Sequence, residues 1–297
     1  MEYFLSLTIT GLVMGIIYAL MALGLTLIFS ILGVINFAHG EFYMLGGYMS
    51  YFILAVVAGL NPFLAVAVGG LIIALIGLIF ALGFLRPMHL GHIERPAEYA
   101  ILITFGLSFF LQNLALATFG PYPHRPPSFF EGSVDLGIIR IGADRLTASL
   151  LALALLAVLL LIINRTWIGK ALQAVSQNKD ATAIVGINPL RMNTLAFGMG
   201  VGLAALSGAL LAPSFSITPD VGAVPSIRSY IIIVLGGMGS IPGSILGGLL
   251  IGLVESFGAG YFPDPSRALN YKMVFGLVIF ALILLFRPRG LFGRREA

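Results

Sequence analysis

Long apolar blocks separated by short polar gaps run the length of the chain. They cover Phe4 to Ile35, Tyr43 to Leu60, Pro62 to Leu85, Tyr99 to Phe119, Leu146 to Ile163, Met192 to Ala212, Ser244 to Phe257 and Tyr271 to Phe286. A bilayer core about 30 Å thick is crossed by about 20 apolar residues in a helix. Each block therefore predicts a transmembrane helix, and the fold class expected is all-α, a polytopic helical membrane protein. One further segment, Ile227 to Gly237, is apolar but short for a straight crossing, and it runs into Gly236-Gly237-Met238-Gly239-Ser240-Ile241-Pro242-Gly243. Glycine and proline at that density break a helix. Counted as a crossing, the broken segment gives nine spans; counted as re-entrant, it gives eight.

Composition agrees. The 297 residues are 59% hydrophobic and 9% charged, against about 25% charged in soluble domains, so most of the surface must face lipid. Cysteine is absent, which excludes disulfides, thiol nucleophiles and cysteine metal sites. The net charge of +4 comes from residues in the gaps and does not indicate nucleic acid; there it orients the chain in membrane lipid. Arg86, Arg95, Arg165, Lys170, Lys179, Arg191, Arg287, Arg289, Arg294 and Arg295 fall in one alternating set of gaps, with Glu94, Glu98, Asp180 and Glu296. The opposite set holds Arg125, Arg140, Arg145, Arg228, Arg267 and Lys272, balanced by Glu2, Glu131, Asp135, Asp144, Asp220 and Asp264. The basic-rich set is cytoplasmic by the positive-inside rule. That puts the N-terminus outside and the C-terminus inside, and the parity requires nine crossings. MEYFLSLTIT has no basic n-region, so the first block reads as a retained span. No linker interrupts residues 1–297, which form one transmembrane domain. The longest gap, 120–145, is expected outside as a folded cap with some strand.

Glycine occurs 37 times, much of it within spans. Gly11 and Gly15, Gly198 and Gly202, Gly243 and Gly247, and Gly248 and Gly252 are G-x-x-x-G pairs, which let helix backbones approach closely. The run from Gly198 to Ala209 is small around most of its circumference, as in a helix surrounded by others or lining a cavity.

Two carboxylates interrupt apolar stretches, Glu41 and Glu255, and an ionised group at mid-bilayer costs several kcal/mol. Glu41 ends Asn36-Phe37-Ala38-His39-Gly40-Glu41. This string is either a short cytoplasmic turn with Glu41 capping the next helix, or a break buried in protein or facing water along a pathway. Glu255 ends a span and is open to snorkelling to the outer interface. The Gly236–Gly243 stretch lacks the Lys-Ser/Thr of a phosphate loop and suits a broken helix that offers backbone dipoles to a solute. Asn36, His39 and Glu41, with Gly237, Gly239, Ser240 and Pro242, are thus the candidate pathway or gating residues. His89 and His92 have only Glu94 as a third metal ligand nearby, so no metal and no cofactor is expected. No catalytic cluster is present, so no enzyme is expected. Gln112 and Asn113 are suited to hydrogen bonds between helices or to a solute.

The gap from Ile168 to Leu190 is amphipathic, with Ile168, Leu172 and Val175 at helical spacing and Gly186 and Pro189 at its end. It predicts a short helix outside the membrane on the inner side. Such a helix either docks into a groove on a cytoplasmic partner or rests on lipid headgroups.

Three motifs carry a resemblance. Ile35-Asn36-Phe37-Ala38-His39-Gly40-Glu41, the inner loop ending Val185-Gly186-Ile187-Asn188, and Leu235-Gly236-Gly237-Met238-Gly239-Ser240-Ile241-Pro242-Gly243 resemble the LivH-type permeases of branched-chain amino acid ABC importers. The similarity extends to Arg287-Pro288-Arg289-Gly290-Leu291. It implies a permease subunit in a bacterial cytoplasmic (inner) membrane, importing hydrophobic amino acids with ATP hydrolysed by separate cytoplasmic ATP-binding subunits. It also implies a periplasmic or lipid-anchored substrate-binding protein, and a second related permease subunit or a second copy. Helix 168–190 would then be the coupling element, with Lys170, Ala174, Asn178, Ala181, Gly186 and Asn188 meeting the ATPase. Two alternatives stand beside it: the same machinery carrying urea or short-chain amides, and an ion-coupled secondary transporter.

Overall fold

A computed structural model describes residues 1–57, 59–91, 93–135, 137 and 140–293. Helix α1 spans Glu2–Leu32, α2 His39–Val56 and α3 Pro62–Phe80. Helix α3 widens into a π turn over Ala81–Leu85 and continues as α4, Arg86–His89. The widening lies just ahead of Pro87, whose ring clashes with the carbonyl four residues back and whose nitrogen donates nothing. Helix α5 is Pro96–Phe119, strands β1 and β2 are Ser133–Asp135 and Arg140–Gly142, and α6 is Ala143–Arg165. There follow α7 Trp167–Gln177, α8 Lys179–Ile184, α9 Pro189–Leu211, α10 Ala223–Gly236, α11 Ile241–Gly260 and α12 Pro265–Phe286.

Among the described residues, six helices are long and apolar enough to cross a bilayer: Glu2–Leu32, Pro62–Met88, Pro96–Phe119, Ala143–Arg165, Pro189–Leu211 and Ile241–Gly260. Ala223–Gly236 and Tyr271–Phe286 are shorter apolar helices. The chain is an all-α polytopic membrane protein. Helix α2 begins four residues before the apolar block at Tyr43, so it takes in His39 and Glu41. Their polarity is why it stands outside the six.

The boundaries follow local chemistry. Asn61 and Asn188 accept hydrogen bonds from Phe63 N–H and Arg191 N–H, with Pro62 and Pro189 opening α3 and α9. That is the preferred cap followed by the residue whose missing N–H costs nothing there. Gly33 ends α1 in the left-handed conformation (φ 76°), its N–H reaching Phe29 O. The 120–145 gap contains the antiparallel β1–β2 hairpin, and His124 pairs through its backbone with Ile217.

Helix α1 is the buried centre. Its most apolar window is 83% buried, against 22% for α5 and 33% for α6, so α5 and α6 leave broad apolar faces uncovered. Two of the sequence's G-x-x-x-G pairs meet each other here. A Cβ on Gly15 would strike Leu249 Cα and Gly248 O, and one on Gly252 would strike Gly11 O and Gly15 Cα. Helices α1 and α11 therefore touch backbone to backbone, where dispersion over a wide area replaces the hydrophobic effect that lipid cannot supply. Gly198 and Gly202 face Leu78 and Ala74 of α3, and Gly243 and Gly247 face Gly236 and Ile232 of α10.

The segment 168–190 is two helices. Asn178 breaks it (φ −155°, ψ 110°) and caps α8 by accepting from Ala181 N–H. A side chain that can hold its own backbone competes with helix continuation. The buried stripe is Ala171, Leu172 and Val175, whereas Ile168 is exposed. His92, the side chain of His89, and the basic residues Arg294 and Arg295 lie outside what is described.

Candidate functional site

After Gly33 the chain turns back alongside the helix it has just left. The Nε2 of His39 lies 3.0 Å from the carbonyl oxygen of Met21. At 1.5 Å per residue, the eleven residues from Met21 to Leu32 place this contact about 16 Å back along α1. Residues 33–38, which begin at the left-handed Gly33 and end in a turn at Phe37–Ala38, make the return. The polar string is thus no turn at the tip of α1; it folds in against the middle of that helix, and α2 starts there.

Val34, Asn36 and Ala38 of the return are buried, and its backbone finds partners. Ala38 N–H donates to Asn36 Oδ1 at 3.1 Å, Phe37 N–H to Thr104 Oγ1 of α5 at 3.3 Å, and the Tyr230 hydroxyl of α10 to Asn36 O at 3.0 Å. Irregular backbone at such depth is tolerated only when satisfied by protein or water. Because Met21 O only accepts, His39 donates through Nε2, and Nδ1 carries a lone pair. Asn36 Nδ2, His39 Nδ1 and Glu41 Oε2 are buried with no hydrogen-bond partner among the described residues. Three such atoms fall within one short string, where buried polar groups are otherwise nearly always paired.

Helix α10 begins against the same point. A Cβ on Gly40 would overlap Gly222 O and Ser226 Oγ; one on Gly222 would overlap Gly40 O and meet Glu41 Oε2. The first turns of α2 and α10 are therefore in backbone contact, and both direct their positive dipole ends toward this region. The Glu41 carboxylate lies between them. One oxygen accepts from Ser108 Oγ of α5 at 2.9 Å and the other faces Gly222. Glu41 sits in the first turn of α2 but caps nothing, since the cap residue is Ala38 and no side chain bonds there. The contribution of Gly222, Ser226, Tyr230, Thr104 and Ser108 escapes sequence reading. Pro213, Pro219 and Gly222 signal a loop, but not that it returns to meet Gly40.

The second interruption lies elsewhere. Gly237 (φ 102°) and Gly239 (φ 81°) make the turn between α10 and α11, and Ser240 caps α11 by accepting from Gly243 N–H, with Pro242 in the first turn. Gly239 approaches Ser30, near the C-terminal end of α1. The structure thus groups Asn36, His39 and Glu41 at mid-helix and Gly237, Gly239, Ser240 and Pro242 at the helix end, joined by α10. The tail seals the turn: Leu291 N–H donates to Leu235 O at 2.8 Å and Phe292 N–H to Gly236 O at 3.0 Å.

Glu255 does not snorkel. It is 1% exposed and accepts from Arg228 Nε at 2.8 Å and the Tyr18 hydroxyl at 3.0 Å, with Lys272 Nζ at 3.7 Å. Arg228 also lies over the Tyr18 ring, 5.0 Å from its centre. This cluster ties α10 to α1, α11 and α12. Asn113 bonds within its own helix, to Phe109 O. Of the residues assigned to the inner gap, Lys170, Asn178, Ala181, Gly186 and Asn188 are exposed and Ala174 is half-buried.

The family profile described as "Branched-chain amino acid transport system / permease component" matches residues 7–285. The chain is 34% identical to the high-affinity branched-chain amino acid transport system permease protein BraD of Pseudomonas aeruginosa, covering 99% of this chain and 97% of that one. It is 32% identical to the permease protein LivH of Escherichia coli over the same shares. It is 27% identical to the probable permease protein LivH of Methanocaldococcus jannaschii, over 92% and 88%. No solved structure gives a significant match. With the all-α membrane fold and a profile match covering nearly its full length, the chain belongs to the branched-chain amino acid transport system permease family, as a transport component rather than an ATPase.

Proposed function

We propose that this chain is the membrane-spanning permease subunit of an ABC importer and carries branched-chain amino acids across the bacterial cytoplasmic membrane. The near end-to-end similarity to BraD and LivH supports it. In this reading cytoplasmic ATP-binding subunits hydrolyse the ATP, a substrate-binding protein delivers the solute from outside, and a second permease subunit, related or identical, completes the pathway. The N-terminus is outside and the C-terminus inside. The chain crosses nine times if the 33–38 return with α2 counts as one crossing, and the 212–222 return with α10 as another. The β1–β2 hairpin is then external and α7–α8 cytoplasmic.

The single observation that carries the mechanism is the meeting of Gly40 and Gly222, where α2 and α10 both begin inside the bundle. We assign Asn36, His39 and Glu41 to a gate at this level. Gly237, Gly239, Ser240 and Pro242 form the turn at the inner mouth. Two helices that start at mid-membrane can shift their ends by small rotations, without carrying an entire span through lipid.

Motion has to reach them from the ATPase. Lys170, Ala174, Asn178, Ala181, Gly186 and Asn188 form the docking element, and Ile184 and Val185 add an apolar tip, 87% and 73% exposed. A surface helix with an apolar tip suits insertion into a groove. The test is co-purification of the ATP-binding subunit with the wild-type chain and with Ala181→Glu and Val185→Glu. The wild type should retain it and both variants should lose it. Retention by both variants would overturn this docking surface.

A further inference from the structure

We propose that an apolar cavity beside the gate seats the branched alkyl side chain of the passing amino acid, and that Ile233 and Val234 set its fit. The proposal rests on the reading of the chain as a branched-chain amino acid permease. The cavity has a volume of about 180 Å³ and is lined by Leu25 and Phe29 of α1, Ile35 and Phe37 of the return, and Ile233 and Val234 of α10. Met238, 55% exposed, completes the lining.

Three features select the occupant. The one hydroxyl in the lining, that of Tyr230, is already donated to Asn36 O. Nothing is left to hold an ammonium, a carboxylate or an ordered water, because a buried water needs two or more polar partners. The size fits a compact group: a dry apolar cavity of about 150 Å³ takes up benzene, so this one has room for a branched alkyl group. Its position is continuous with the gate. Ile35 and Phe37 flank Asn36, and α10 runs from Gly222, at the gate, to Gly236 beside the turn at the end of α1. An amino acid whose side chain lodges here has its polar head outside the cavity.

Specificity follows from volume. One methylene in a hydrophobic pocket discriminates by about tenfold or more. The test uses the complete transporter in proteoliposomes, with saturating binding protein loaded separately with valine or leucine, and reads the ratio of initial uptake rates. Val234→Leu shrinks the cavity and should raise the valine-to-leucine ratio about tenfold. Val234→Ala and Ile233→Val enlarge it and should move the ratio the other way; neither introduces a clash, and their level in the membrane fraction is checked alongside. Ratios that stay at the wild-type value in all three variants would overturn the proposal and indicate that the cavity meets a partner subunit or lipid. The parent reading fails separately, if the wild-type complex takes up neither amino acid.

Discussion

The ring of His39 donates to the backbone carbonyl of Met21, a residue eighteen positions earlier and well inside the preceding helix. That bond marks the depth at which α2 begins. A membrane helix starting at the surface has its first-turn N–H groups in water; one starting here has them inside protein, together with the dipole that they carry. Gly222 brings the start of α10 to the same place, so two positive helix ends share one carboxylate, Glu41.

The contact between those two ends tolerates no side chain. Gly40→Val or Gly222→Val should abolish uptake while a valine at Gly83, whose Cβ would meet open space, leaves it near wild type. Transport assays with expression checked in the membrane fraction decide it. Activity retained by Gly40→Val would mean that α2 and α10 do not meet during the cycle.

Removing one member of a buried ion pair leaves an uncompensated charge and costs about 3–5 kcal/mol. Glu255 serves two cations and Tyr18. Glu255→Leu would strand Arg228 and Lys272 together and should cost that full range. Arg228→Met still leaves Lys272 for the carboxylate and should cost less. Thermal unfolding of the detergent-solubilised variants should rank them in that order, and the reverse order would refute the pairing.

The tail closes the far end of α10 through Leu291 and Phe292. Deleting residues 290–297 frees the carbonyls of Leu235 and Gly236, each buried group costing about 1–3 kcal/mol when unpaired. Hydrogen exchange over 234–240 should then rise sharply. Unchanged protection there would show that the tail is not what holds the turn.

The helical membrane fold was legible because its signal is local. Apolar blocks gave the helices, and G-x-x-x-G spacing marked Gly11, Gly15, Gly248 and Gly252 as contact residues before their partners were known. Asn36 to Glu41 was legible as an interruption but not in depth, since depth is marked by the contact of His39 with Met21. The environment of Glu255 was illegible for the same reason. Its cations stand on α10 and α12, and Arg228 reads in sequence only as a charge beside an apolar run. Asn178 does not stand out as a break in the sequence, because one residue's capping preference is weak evidence against an otherwise continuous pattern.

The most direct test of the account is leucine uptake into proteoliposomes containing this chain with its ATP-binding subunits, second permease subunit and binding protein. The account predicts uptake that requires all components and ATP, and that is unaffected by collapsing proton and sodium gradients. Uptake by the isolated chain driven by either gradient without ATP would contradict it.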